Sequence, residues 1–132
     1  MTGETRPARI LHVEDELLNR SLFRAVIERA HDVRIRSAVV QEAADLGQAR
    51  AYLAGNDVDI VLLDVRLPDG NGLDLVREIK AREPGLSVVV MSASVLPNER
   101  ERATRAGCDA FISKPYSTRD LLDTIRRLLP PG

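Results

Sequence analysis

The chain has 132 residues, of which 44% are hydrophobic and 30% charged, enough for one domain with a real core and unlike a disordered chain. A net charge of −1 gives the whole domain no pull toward nucleic acid or an anionic membrane. The lone Cys108 excludes an internal disulfide or a cysteine-rich metal site, and no apolar run approaches membrane-spanning length.

Residues 1–8 read as a flexible lead without the apolar centre of a secretory signal, residues 9–129 as the domain, and residues 130–132 as a tail. A reducing, cytoplasmic interior suits the single thiol. Arg9 to Val13 reads as a first strand, with His12 inside it as a core histidine whose bonds are satisfied, since nothing nearby has metal-ligand spacing. Glu14, Asp15 and Glu16 follow. Then Leu18, Leu22, Ala25, Val26 and Arg29 recur at helical spacing, which predicts an amphipathic helix from Leu17 to about Ala30. Acids at a helix start cap it and offset its dipole, an account that suits one or two acids better than three.

His31 onward predicts a loop, then a strand over roughly Ala38 to Ala43, then a helix over Asp45 to Ala54 with Leu46, Ala49 and Leu53 inward. Gly55-Asn56-Asp57 reads as its C-terminal stop. Ile60 to Leu63 is an unbroken apolar run, as in a strand covered on both faces. It ends at Asp64, and Pro68-Asp69-Gly70-Asn71-Gly72 is a turn signal. Leu75, Val76 and Ile79 mark a third helix, Leu86 to Met91 a fourth strand, and Pro97 to about Ala106 a polar, weakly anchored fourth helix closed by Gly107. Cys108 to Ser113 reads as a fifth strand. Ser117 and Asp120 form a capping box before a last helix with Leu121, Leu122, Ile125, Leu128 and Leu129 inward.

Five strand–helix units in alternation imply an α/β fold: a doubly wound, five-stranded parallel sheet with five helices on its two faces. All strand C-termini then share one edge, and with strand order 2-1-3-4-5 the first and third strands flank the ligand-binding crevice. That edge collects Glu14, Asp15, Glu16 and Asp64, with Ser92 after the fourth strand and Lys114 after the fifth. Converging carboxylates repel, so a cation belongs with them, and oxygen-only ligands favour Mg²⁺ or a similar hard ion. A lysine and a hydroxyl suit a bound phosphoryl group, and a carboxylate such as Asp64 can accept one. Taken singly, each residue also has an ordinary reading: Asp64 and Ser92 as strand-end caps, Lys114 as a solvated lysine.

V-E-D-E at Val13 to Glu16, L-L-D-V-R-L-P-D-G-N-G at Leu62 to Gly72, M-S-A at Met91 to Ala93 and F-I-S-K-P at Phe111 to Pro115 together resemble the receiver domain of bacterial two-component response regulators. The resemblance covers about Arg9 to Leu129 and implies the flavodoxin-like receiver fold with strand order 2-1-3-4-5. It implies that Asp64 accepts a phosphoryl group from a histidine kinase or a histidine phosphotransfer protein. Asp15, Asp64 and the backbone carbonyl of Arg66 would ligate Mg²⁺ or Mn²⁺. Glu14, where the family commonly has aspartate, would reach the ion through water. Ser92 and Lys114 would bind the phosphoryl oxygens, Pro115 would follow a cis peptide, and Ser92 with Phe111 would act as the switch. The implied partners are the phosphodonor and a downstream protein target or attached output domain. They would read the surface of the fourth helix, fifth strand and fifth helix, through which a homodimer would also form. The chain would not be an enzyme beyond its own phosphorylation and dephosphorylation, and would bind neither nucleic acid nor membrane.

Three rival readings fit the sequence less well. An aspartate-nucleophile phosphotransferase often carries an acid two residues after the first, where this chain has Arg66. A phosphorylation-independent scaffold conflicts with the joint presence of Asp15, Asp64, Ser92 and Lys114. A nucleotide-binding protein lacks its G-x-G-x-x-G loop after the first strand.

Overall fold

The computed structural model describes residues 6–94 and 96–130; Met1 to Thr5 of the expected lead and Pro131-Gly132 of the expected tail lie outside them. Strand β1 (Arg9–Val13) is joined by helix α1 (Leu17–Glu28) and a one-turn helix α2 (Val33–Arg36) to β2 (Val39–Ala43). Helix α3 (Leu46–Gly55) leads into β3 (Ile60–Asp64), and a small hairpin of β4 (Arg66–Leu67) and β5 (Gly70–Asn71) leads into α4 (Gly72–Arg82). Strand β6 (Ser87–Ser92), helix α5 (Pro97–Ala106), strand β7 (Ala110–Ser113) and helix α6 (Thr118–Leu128) complete the chain. The main sheet is parallel with order β2-β1-β3-β6-β7, the 2-1-3-4-5 order of its five strands counted along the chain. Among the described residues no helix is long and apolar enough to cross a membrane.

Alternation along the central strands divides the core in two. Leu11, Val13, Val61, Leu63, Val88 and Val90 face α3, α4 and α5. Ile10, Ile60, Leu62, Val89 and Met91 face α1 and α6, against Phe23, Ile27, Leu121 and Ile125. Each of β1, β3 and β6 thus buries both faces, at about 1.5–3 kcal/mol per large apolar side chain, and this holds the strand ends in register.

Several expectations need correction. The inward stripe of α1 is Phe23 and Ile27, continued by Ala30, while Leu18 and Leu22 are 68% and 54% exposed. Both stripes have helical spacing. The first turn of the buried one is polar because it meets the site, where Arg20 Nη1 donates to the Glu14 carbonyl at 2.8 Å. The expected loop at Val33 to Arg36 is a turn of helix capped by the Asp32 carboxylate, which accepts from Arg34 N at 2.9 Å, and Ile35 is its buried residue. The Pro68–Gly72 turn is part of the β4–β5 hairpin, whose second strand lies within it. Gly55 lies within α3, and the residue that caps it, Asn56, is extended rather than left-handed. Gly107 does close α5 in the left-handed conformation (φ 107°), and Ser117 caps α6 by accepting from Asp120 N.

His12 is a core residue, but its bonds are not all satisfied. Its ring stacks on Phe23 with centroids 3.9 Å apart, and Nδ1 has no partner among the described residues. Burial, the largest influence, pushes its pKa down to about 3. A base whose folded pKa lies below its unfolded value of about 6.5 leaves stability intact above that pH. Below it the unfolded chain takes up the proton first, so stability falls as pH drops from 6.5 toward 3. The expected loss from this residue is about 2 kcal/mol at pH 5. Urea melts in chelator at pH 7 and pH 5 should show that much less acid sensitivity in His12→Phe; parallel losses in both proteins would refute it.

Candidate functional site

The C-terminal edge of the sheet brings the expected residues together because each follows a buried strand. Beyond β1, Glu14 N donates to the Ala43 carbonyl at 2.9 Å, which extends the sheet by one bond and turns the Glu14 side chain into the protein. Glu14 is 1% exposed. Its carboxylate accepts from Lys114 Nζ at 2.8 Å and from Glu16 N at 3.1 Å. Lys114 Nζ also donates to Asp64 Oδ2 at 3.0 Å, so one ammonium bridges the ends of β1, β3 and β7. Lys114 is itself fixed by its N–H, which donates to the Ser92 carbonyl at 2.7 Å, and its bond to Pro115 is cis.

Electrostatics follow the geometry. Burial alone would raise the Glu14 pKa, but the bonds from Lys114 and Glu16 N outweigh it and leave the carboxyl below its usual range. Burial likewise opposes charge on Lys114, yet Glu14 and Asp64 hold its pKa above the ordinary value. Asp15 moves the other way, raised by desolvation and by its acidic neighbours Glu14 and Asp64. Oxygen atoms of Glu14, Asp15 and Glu16 lie within 4.8 Å of one another. Asp64 is outside that tightest cluster but shares with Asp15, Glu16, Arg66 and Ser92 an open cleft of about 620 Å³. Crowded carboxylates offering only oxygen donors fit a hard divalent cation.

The loop after Asp64 is tied down. Arg66 N donates to Asp64 Oδ1 at 3.2 Å, and Gly72 N donates to the Val65 carbonyl at 2.6 Å. Asp69 reaches across to α3, accepting from Leu46 N at 2.8 Å and Gly47 N at 2.9 Å. Those two backbone bonds hold its carboxyl below the usual range.

Ser92 is placed differently from the acids. It lines the cleft yet is 2% exposed, and its hydroxyl donates to Glu99 Oε1 on α5 at 2.5 Å. Phe111 on β7 packs against the core on the α5 side, and its ring carries the Arg100 guanidinium 5.0 Å from its centroid. Phe111 pairs with Val90 in the sheet, which makes it a same-face diagonal neighbour of Ser92. Sequence reasoning missed Glu99. The signal was present: Glu99 lies four residues before Ala103 and seven before Ala106, on the inward stripe of an otherwise polar helix.

Comparison with known proteins agrees with this fold. A family model described as the response regulator receiver domain matches residues 10–126. The polar-differentiation response regulator DivK of Brucella anthropi is 34% identical over 125 residues, covering 93% of this chain and 97% of DivK. The non-phosphorylated HemR receiver domain from Leptospira biflexa superposes with a TM-score of 0.81 at 30% identity, covering 95% of this chain and 96% of HemR. A CheY-like receiver domain protein from Methanospirillum hungatei gives a TM-score of 0.82 at 26% identity, covering 92% and 93%.

Proposed function

Since this chain belongs to the response regulator receiver domain family, we propose that it is a phosphoacceptor signalling domain in which Asp64 receives a phosphoryl group from a phosphohistidine. The observation that carries the reading is the Lys114 ammonium shared between Glu14 and Asp64, the latter lining a cleft with Asp15 and Ser92. An Asp64 carboxylate oxygen forms the new bond to phosphorus, and the phosphorus–nitrogen bond to the donor imidazole breaks, its electron pair leaving with the imidazole. Lys114 is already within reach of Asp64 and turns from the carboxylate to the phosphoryl oxygens. Asp15, Asp64 and the Arg66 carbonyl would hold Mg²⁺ or Mn²⁺, with Glu14 behind them. When bound, that ion offsets the negative charge of the acids and of the incoming phosphoryl group.

Ser92 then donates to a phosphoryl oxygen, and Phe111 repacks on the same sheet face. A partner reads the altered surface of α5, β7 and α6. The donor is a histidine kinase or histidine phosphotransfer protein. The reader is a protein target, an attached output domain or a second copy meeting through that surface. The chain turns over no external substrate, and its setting is the bacterial cytoplasm.

Intact-protein mass after incubation with acetyl phosphate and Mg²⁺ tests the reading. One added phosphoryl group is expected, absent in Asp64→Ala and in chelator. No added mass at short times and low temperature, together with no Mg²⁺ binding, would replace the reading with a phosphorylation-independent scaffold.

A further inference from the structure

We propose that Glu99 is a positioning residue that latches Ser92 in the resting domain and must release it before Ser92 can serve the phosphoryl group. The inference rests on the phosphoacceptor reading above. A serine hydroxyl has one proton to donate. In this structure that proton goes to Glu99 Oε1 at 2.5 Å, while Ser92 Oγ itself accepts from Ser94 N at 3.1 Å. The hydroxyl is therefore committed as donor, and donation to a phosphoryl oxygen on Asp64 is exclusive with the bond to Glu99. Both partners are buried, Ser92 at 2% exposure and Glu99 at 8%, so bulk water does not readily substitute for either.

The exclusion has a mechanical result. Ser92 is the donor found for the Glu99 carboxylate among the described residues. Once Ser92 turns away, Glu99 is left as a buried charge without that donor, an expensive state that is relieved when the side chain reaches water. Glu99 sits in the first turn of α5, whose other inward residues are only Ala103 and Ala106. Such a helix is held by little apolar area and can give way at its N-terminus. The next residue, Arg100, lies over the Phe111 ring. Movement of this one turn thus uncouples both switch side chains together: Glu99 leaves Ser92, and Arg100 leaves Phe111. The latch makes the resting state the favoured one and sets how much of the phosphoryl group's binding energy is consumed in opening it.

The test is affinity for beryllofluoride, a stable mimic of the phosphoryl group, in the presence of Mg²⁺. Glu99→Ala should bind it roughly tenfold more tightly than the unaltered domain. Glu99→Gln, which keeps the shape and a weaker acceptor, should fall between them. In a Ser92→Ala background, where there is nothing to latch, Glu99→Ala should change the affinity by less than about twofold. An unaltered domain that binds, with Glu99→Ala and Glu99→Gln no tighter, would overturn the latch alone, as would an equal gain with and without Ser92. An unaltered domain that binds no beryllofluoride would overturn the phosphoacceptor reading and the latch with it.

Discussion

Lys114→Met is expected to destabilise the domain by about 2–3 kcal/mol in metal-free buffer near pH 7. The ammonium lies 2.8 Å from a Glu14 oxygen and 3.0 Å from an Asp64 oxygen. Its removal leaves Glu14, 1% exposed, with the Glu16 N–H as the one donor to its carboxylate among the described residues. Breaking a buried pair from one side costs about 3–5 kcal/mol, and the lower figure allows for the partial solvation of Lys114 and Asp64. The pH dependence follows from the direction of the Glu14 shift. Its folded pKa is depressed, so its contribution is present above the unfolded value and lost as pH falls through the folded one. In the variant that depression is gone, burial dominates, and Glu14 takes up a proton in mild acid, so the gap between the proteins narrows there. Glu14→Gln combined with Lys114→Met should recover most of the loss, because neither member of the pair is then charged. Urea melts of the four proteins form a double-mutant cycle. A Lys114→Met protein as stable as its parent would show that the bridge contributes nothing.

Gly72→Ala should have a comparable or larger effect while altering no charge. A Cβ at this position would lie 2.2 Å from the Asp64 carbonyl oxygen and 2.6 Å from Leu63 Cδ1. The first of these is backbone, so rotating a side chain cannot relieve it. Either the start of α4 moves away or the end of β3 is pushed aside. Overpacking of this severity costs about 3 kcal/mol or more. Displacing Asp64 by about 1 Å should also slow phosphoryl uptake roughly a hundredfold. Gly85→Ala is the matched control, since nothing lies within 4 Å of its added atom. Initial rates of mass gain from acetyl phosphate, set beside urea melts, separate the two effects. Uptake at the parent rate in a folded Gly72→Ala protein would show that the close approach does not position Asp64.

Much of this was legible before any coordinates. The apolar runs at Ile60 to Leu63 and Leu86 to Met91 have no other comfortable home than a doubly covered strand, and both are strands with buried faces. Polar residues directly after such runs must lie on the edge of the sheet, which places Asp64, Ser92 and Lys114 there. The misses share a cause: local pattern is blind to tertiary competition. Two stripes of α1 have helical spacing, and only the position of the sheet selects Phe23 and Ile27 over Leu18 and Leu22. Val33 to Arg36 is too short to show a period, and its cap at Asp32 is the better signal. Glu99 is hidden from sequence because an acid in a polar helix looks solvated; its buried partner is a hydroxyl seven residues earlier in the chain.

The Asp69 clamp bears on where entropy is lost. Between Asp64 and Gly72 the chain could have been one long, floppy connection. Instead Asp69 fastens its middle to the first amides of α3, and β4 pairs with β5 on either side. Ordering these residues costs conformational entropy of about 1–2 kcal/mol each, and that cost falls on folding of the whole domain. An ion or phosphoryl group arriving at Asp64 under the proposed function would therefore meet a preorganised loop, and its affinity would not be diminished by having to assemble the surface that receives it.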